Sequence, residues 1–111
     1  TTLYISDQNN HRIQKWIIGS SNGTTVAGQA NGEAGSTARH LRRPGGIAID
    51  NQENFYIADI NNHRVQYWPN GASEGRTLAG ITGVSGSELN SLNSPFGLAR
   101  NPRTGTLYVA D

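Results

Sequence analysis

Leu3–Trp16 (LYISDQNNHRIQKW) and Phe55–Trp68 (FYIADINNHRVQYW) agree at nine of fourteen positions, at an offset of 52 residues. The same offset carries Thr25–Gly28 (TVAG) onto Thr77–Gly80 (TLAG) and Phe55–Asp59 onto Leu107–Asp111 (LYVAD). Pro44–Asp50 (PGGIAID) meets Pro95–Asn101 (PFGLARN) at 51, one residue of loop slippage. The chain is therefore two copies of one unit with a short overhang. Self-similarity at this period implies stacked copies of a supersecondary unit that cannot bury its apolar surface alone.

Each unit reads as four short strands. In the best-defined copy they are Gly46–Asp50, Phe55–Asp59, Arg64–Trp68 and Arg76–Gly80. They are rich in β-branched and aromatic residues and bounded by Gly, Asn, Asp or Pro, which are strand and turn signals. Alternation puts Phe55, Ile57 and Asp59 on one face and Tyr56 and Ala58 on the other. Both faces carry apolar residues, as in a sheet covered on both sides. No stretch shows a capped helical period. The low apolar fraction, 34%, is offset by 14 glycines, a balance that suits strands and turns. Asn22-Gly23, Asn31-Gly32 and Asn70-Gly71 read as tight turns.

One four-stranded sheet per ~40–50 residues marks a β-propeller blade. The pattern Asp-x-x-Asn-His-Arg-apolar-Gln-x-Trp, preceded by LYIS or FYIA and followed by a T-V/L-A-G run, resembles the NHL repeat. That family is named for an Asn-His-Leu triplet, which here reads Asn10-His11-Arg12 and Asn62-His63-Arg64. The resemblance covers essentially the whole chain. It implies an all-β propeller, typically of about six blades, and a family used mainly for binding. In blade order, residues 3–28 are strands two to four of one blade, 46–80 a complete blade, and 96–111 strands one and two of a third.

The repeated polar string is read as scaffold, because a catalytic residue rarely needs a duplicate one blade away. Asp7 and Asp59 end the second strand of their blades. Asn9-Asn10 and Asn61-Asn62 form the following turn, where Asn tolerates positive φ and both residue types bond nearby backbone amides. His11 and His63 are expected to tie that turn to a neighbouring strand. Arg12 and Arg64 are expected to pair with Asp7 and Asp59 of their own or an adjacent blade, and Trp16 and Trp68 to fill space between blades.

Divergence between the copies marks where function can reside. Ser36–Pro44 (STARHLRRP) carries Arg39, His40, Arg42 and Arg43, whereas Ser87–Pro95 (SELNSLNSP) has Asn90, Ser91, Asn93 and Ser94. Leu41 and Leu92 persist, as expected for the buried pin of each loop. Three arginines on the rim could clamp phosphate or carboxylate groups. Phe96 replaces Gly45 near the mouth of the central channel, where an aromatic ring could stack on a base or sugar. Arg39, His40, Arg42, Arg43 and Phe96 are the candidate binding residues.

The leading functional expectation is a non-enzymatic binding or scaffold module for a protein or anionic ligand, without cofactor or metal. The first alternative is RNA binding through the basic rim, as in some NHL propellers. A net charge of +1 provides no strong global field for nucleic acid. The second is a metalloenzyme propeller resembling the amidating lyases. A catalytic metal needs about three convergent ligands, and of His11, His40 and His63 two are repeat-equivalent turn residues. The absence of cysteine removes thiolate chemistry and disulfides. No apolar run approaches the ~20 residues that span a bilayer, and no membrane partner is expected. An incomplete propeller leaves sheet faces and apolar surface to be covered. The expected partners are further copies of the chain, three of which would complete a six-bladed ring, or the remaining blades of a longer parent chain, which we favour.

Overall fold

Alternation in Phe55–Asp59 determines how the middle of the molecule packs. Phe55 and Ile57 are buried on one face, while Tyr56 lies half-buried on the other. This strand belongs to the central of three antiparallel sheets in the computed structural model, which describes residues 1–111. The first sheet contains β1 (Thr2–Asp7), β2 (Arg12–Ile17) and β3 (Thr24–Gly28). The second contains β4 (Pro44–Ile49), β5 (Phe55–Asp59), β6 (Arg64–Trp68) and β7 (Arg76–Gly80). The third pairs β8 (Leu98–Arg100) with β9 (Leu107–Val109). Strands are adjacent in chain order within every sheet, so each is a meander of hairpins. The fold is all-β, with one complete propeller-type blade of four antiparallel strands between a three-stranded and a two-stranded sheet. β5, β6 and β7 fall where the sequence places them, and β4 starts two residues earlier, at Pro44.

The central sheet is covered on both sides. Ile13 and Ala27 of the first sheet, Leu41 of the connecting loop, and Phe55, Ile57 and Trp68 of the second form one buried cluster. Tyr4 meets Phe55 edge-on across the same junction, with ring centroids 5.2 Å apart. On the opposite face Tyr56 packs against Tyr67, and Arg100 of the third sheet lies 5.7 Å from the Tyr56 ring. Trp68 thus fills inter-blade space, as expected. Fully burying such a side chain is favourable by about 1.5–3 kcal/mol, so this shared cluster is the main apolar glue between the first two blades. Leu41 is the buried pin predicted for its loop; Leu92 is only half-buried, beside Gly80 of β7.

The two repeats agree in detail. A register shift falls between Ile13 and Gln14 and again between Val65 and Gln66. In each case a threonine hydroxyl on the next strand donates to the glutamine, Thr25 to Gln14 and Thr77 to Gln66, both at 2.6 Å. Two turn expectations need correction. Positive φ in the Asp-x-x-Asn-His segment lies at His11 (54°) and His63 (55°), not at the asparagines, which sit in a single 3-10 turn. Gly23 also lacks the positive φ that Gly32 and Gly71 show. It serves close approach instead, because a Cβ there would lie 2.6 Å from the Trp16 ring.

Candidate functional site

The duplicated polar string and the divergent loop meet at the junctions between blades. In the central blade Asp59 ends β5 and turns inward, fully buried. Its carboxylate accepts from Arg64 Nε at 2.7 Å, from Asn62 Nδ2 at 2.8 Å and from the Arg42 backbone amide at 2.7 Å. The rest of the Arg64 guanidinium donates to the carbonyls of Ser36, Thr37 and His40 and to the Thr82 hydroxyl. Asn62 also donates to the Gly35 carbonyl at 2.7 Å. The whole connecting loop is thereby wrapped around one buried ion pair. Each arginine pairs with the aspartate of its own blade, since Arg12 Nε also meets Asp7, at 2.9 Å.

The histidines complete the junction. Nδ1 of His11 accepts the Arg43 amide at 3.0 Å, and Nδ1 of His63 accepts the Ser94 amide at 3.0 Å. Beside the second of these, the Asn93 amide donates to Asp111 at 2.7 Å. The geometry is the same at both junctions. Of two successive loop amides, the first binds the aspartate of the following blade and the second binds the histidine of the preceding blade. Two consecutive N–H groups must diverge to do this. Arg43 and Ser94 accordingly take left-handed backbone, φ 52° and 51°, just before the buried prolines Pro44 and Pro95. Such a conformation is costly for a non-glycine residue and persists when surrounding contacts over-determine it.

The candidate binding residues, although adjacent in sequence, are not gathered into one clamp. Arg43 donates Nη1 to Asn9 across the junction at 2.7 Å. His40 faces back into its own loop, bonded through Nδ1 with the Thr37 hydroxyl and 3.6 Å from Glu33. Arg42 is exposed, with only its backbone engaged. Arg39 hangs over a cleft between the first and second blades. Phe96 is 66% exposed. Its carbonyl accepts the Gly46 amide at 2.8 Å, and a Cβ at Gly45 or Gly46 would stand 2.9 Å from that oxygen. The small residues let neighbouring inner strands approach at this point. No three His, Cys, Asp or Glu side chains lie close enough together to hold a metal ion.

Burial separates the two aspartates. Burial pushes the Asp59 carboxyl above the ordinary aspartate range, against the pull of Asn62, the Arg42 amide and Arg64. For Asp7 partial burial also pushes upward, but Arg12 and Asn10 outweigh it and the carboxyl lies below that range.

A family model for the NHL repeat matches residues 41–67, from the loop pin Leu41 through β6. This chain carries an NHL repeat there. NHL repeat-containing protein 2 of Bos taurus is 35% identical to it over 69 residues, covering 58% of this chain and 10% of that protein. The Homo sapiens protein of the same description is 38% identical over 69 residues, with the same coverage. The chain thus spans about a tenth of the length of these curated relatives. Among solved structures, an auxiliary nutrient binding protein from Bacteroides thetaiotaomicron VPI-5482 superimposes with a TM-score of 0.72 and 20% identity. It aligns with 99% of this chain, which covers 32% of it, and the likeness is one of fold. In this chain the polar residues of the NHL repeat, Asp, Asn, His and Arg, are the acceptors and donors that hold successive blades together. Sequence reasoning placed them in the scaffold. It missed the paired loop amides, which no side-chain pattern reveals; the retained Leu and Pro around them are their trace.

Proposed function

We propose that this NHL-repeat segment is a non-enzymatic scaffold whose divergent connecting loop binds an acidic protein ligand. One observation carries the reading. The Asp, Asn, His and Arg side chains of the repeats are occupied in joining blades, whereas the Arg42 guanidinium is exposed and carries no structural bond. Backbone amides make both junctions, so the side chains at 42 and 43 can vary, the Arg43–Asn9 bond being an addition at the first junction. The sister loop, with Asn93 and Ser94 there, shows such variation. Arginine suits bidentate recognition of carboxylates. Supporting apolar contact could come from other blades, since Leu3 and Ile5 on β1, Phe96, and Tyr108 on β9 are all exposed. Those faces are also where further copies of the chain, or of the repeat, would pack.

The test is titration of a labelled oligoglutamate peptide in parallel with a short oligouridine. The proposal expects the peptide to bind, Arg42→Ala to weaken it several-fold, and binding to fall as salt rises. Equal binding by the Arg42→Ala variant would overturn it. Tighter, steeply salt-dependent binding of the oligouridine would transfer the site to RNA. Light scattering on the same sample reads self-association directly.

A further inference from the structure

A cleft lies beneath Arg39, on the outer side of the first junction and separate from the Arg42 rim. It has a volume of about 280 Å³ and lies beside β3, the outermost strand of the first sheet. Val26 and Ala72 supply apolar lining, Thr25, Gln29 and Ser73 polar lining, and Trp68 and Arg39 complete it. Both sides are pinned. Gln29 Nε2 holds the Arg39 carbonyl at 2.7 Å, and Arg12 Nη1 holds the Ala30 carbonyl at 2.7 Å. Trp68 is 1% exposed, with its indole N–H bonded to the Ala72 carbonyl at 2.9 Å. The Arg39 side chain is exposed and donates to no group of the protein. A preformed hollow of mixed polar and apolar lining with one unpaired cation at its edge suits a small ligand, and this one is slightly smaller than the usual range of about 300–1,000 Å³.

We infer that the cleft takes a carboxylate carried next to a single apolar side chain. The side chain would lie against Val26, Ala72 and the edge of Trp68, and the carboxylate would accept bidentate hydrogen bonds from Arg39. The charge of Arg39 selects the anion, and the volume limits the apolar part to about one residue. The sister loop has Asn90 at the matching position, so this selectivity belongs to the first junction alone.

The probe is N-acetyl-leucine, with N-acetyl-leucinamide as its uncharged twin and a short peptide ending in a free leucine carboxylate as the macromolecular source. Fluorescence is read in a Trp16→Phe background, which leaves Trp68 as the sole indole. A saturable shift at millimolar N-acetyl-leucine, about tenfold weaker for the leucinamide, is expected. Arg39→Asn, the residue of the sister loop, should weaken binding about tenfold, and Arg42→Ala should leave it unchanged. Ala72→Leu keeps the charge but narrows the cleft and should abolish the shift. Tighter binding of the peptide than of N-acetyl-leucine would identify a chain terminus as the source; equal binding would identify the free acid. Absence of a saturable shift, equal binding of the leucinamide, or an unaffected Arg39→Asn variant would overturn the site. The rim reading fails instead on Arg42→Ala and oligoglutamate, so the two failures are distinguishable.

Discussion

Asp7-Asn10-Arg12 and Asp59-Asn62-Arg64 are the same three residues at the same spacing, yet the molecule treats them differently. In the first blade the ion pair spans 2.9 Å with roughly a quarter of each side chain exposed. In the central blade it spans 2.7 Å and is almost wholly buried. The difference comes from the loop at residues 29–43. It leaves the first blade, crosses to the second, and lays the carbonyls of Ser36, Thr37 and His40 over Arg64. To that loop Arg12 donates one bond, to the Ala30 carbonyl. One motif therefore acts as a half-exposed pair in one setting and as the centre of a buried network in another. The covering carbonyls precede Arg64 by 24–28 residues, and the same spacing before Arg12 falls ahead of Thr1.

The largest test of this contrast is to remove the same atom from each copy. Asp59→Ala leaves Arg64 buried without its counter-ion and should cost about 3–5 kcal/mol. Asp7→Ala, in the half-exposed copy, should cost less than about 1 kcal/mol. Denaturant unfolding measures both, and equal costs would break the comparison.

A second pair of substitutions should show no contrast. Gly28 and Gly80 have φ of +79° and +86°, and a Cβ at either would strike a backbone carbonyl, of His11 and His63 respectively. Alanine at each should cost about 1–3 kcal/mol, alike in the two blades, because the strain is local. A large difference would mean that the environment governs even the turn geometry.

Smaller again is the histidine latch. His11→Ala and His63→Ala each remove one acceptor from a loop amide and should each cost about 1 kcal/mol. The two values should agree, since both latches are present at 3.0 Å.

The smallest expected effect is in pH dependence, and its sign differs between the copies. Asp7 lies below the ordinary aspartate range when folded, so its contribution is present above that range and is lost as pH falls through the lowered value. Asp59 lies above it, so the folded state holds that proton more readily. Its contribution is fullest below the ordinary range and is lost as pH rises through the raised value. Comparing Asp7→Asn and Asp59→Asn with the parent by urea unfolding between pH ~3 and ~6 should give slope changes of opposite sign. Slope changes of one sign would contradict the burial argument.

Much of the fold was legible because it is written in side chains. Alternation from Phe55 to Asp59, the tryptophans ending each third strand and the glycine-bounded runs located the strands within a residue or two. That the arginines would meet the aspartates followed from charge; that each pair lies within one blade is shown only by the structure. The positive φ at the histidines was misplaced because asparagine has the stronger intrinsic tendency; a tertiary bond to Nδ1 outweighs it. The site was less legible. Arg39, His40, Arg42 and Arg43 look like one cluster as letters, but an irregular loop sends each side chain a different way. Arg43 turns to Asn9, His40 to Thr37, and Arg39 to the cleft. That dispersal depends on the backbone of residues 36–43, which no periodicity encodes.

Backbone amide exchange at Arg42, Arg43, Asn93 and Ser94 tests the central claim most directly, namely that paired loop amides join each blade to its neighbours. The account predicts that all four are protected in the parent chain. In His63→Ala, Ser94 should lose protection while Arg42 and Arg43 retain it. Exchange of these four amides at the rate of an unstructured loop, or an unchanged Ser94 in His63→Ala, would contradict it.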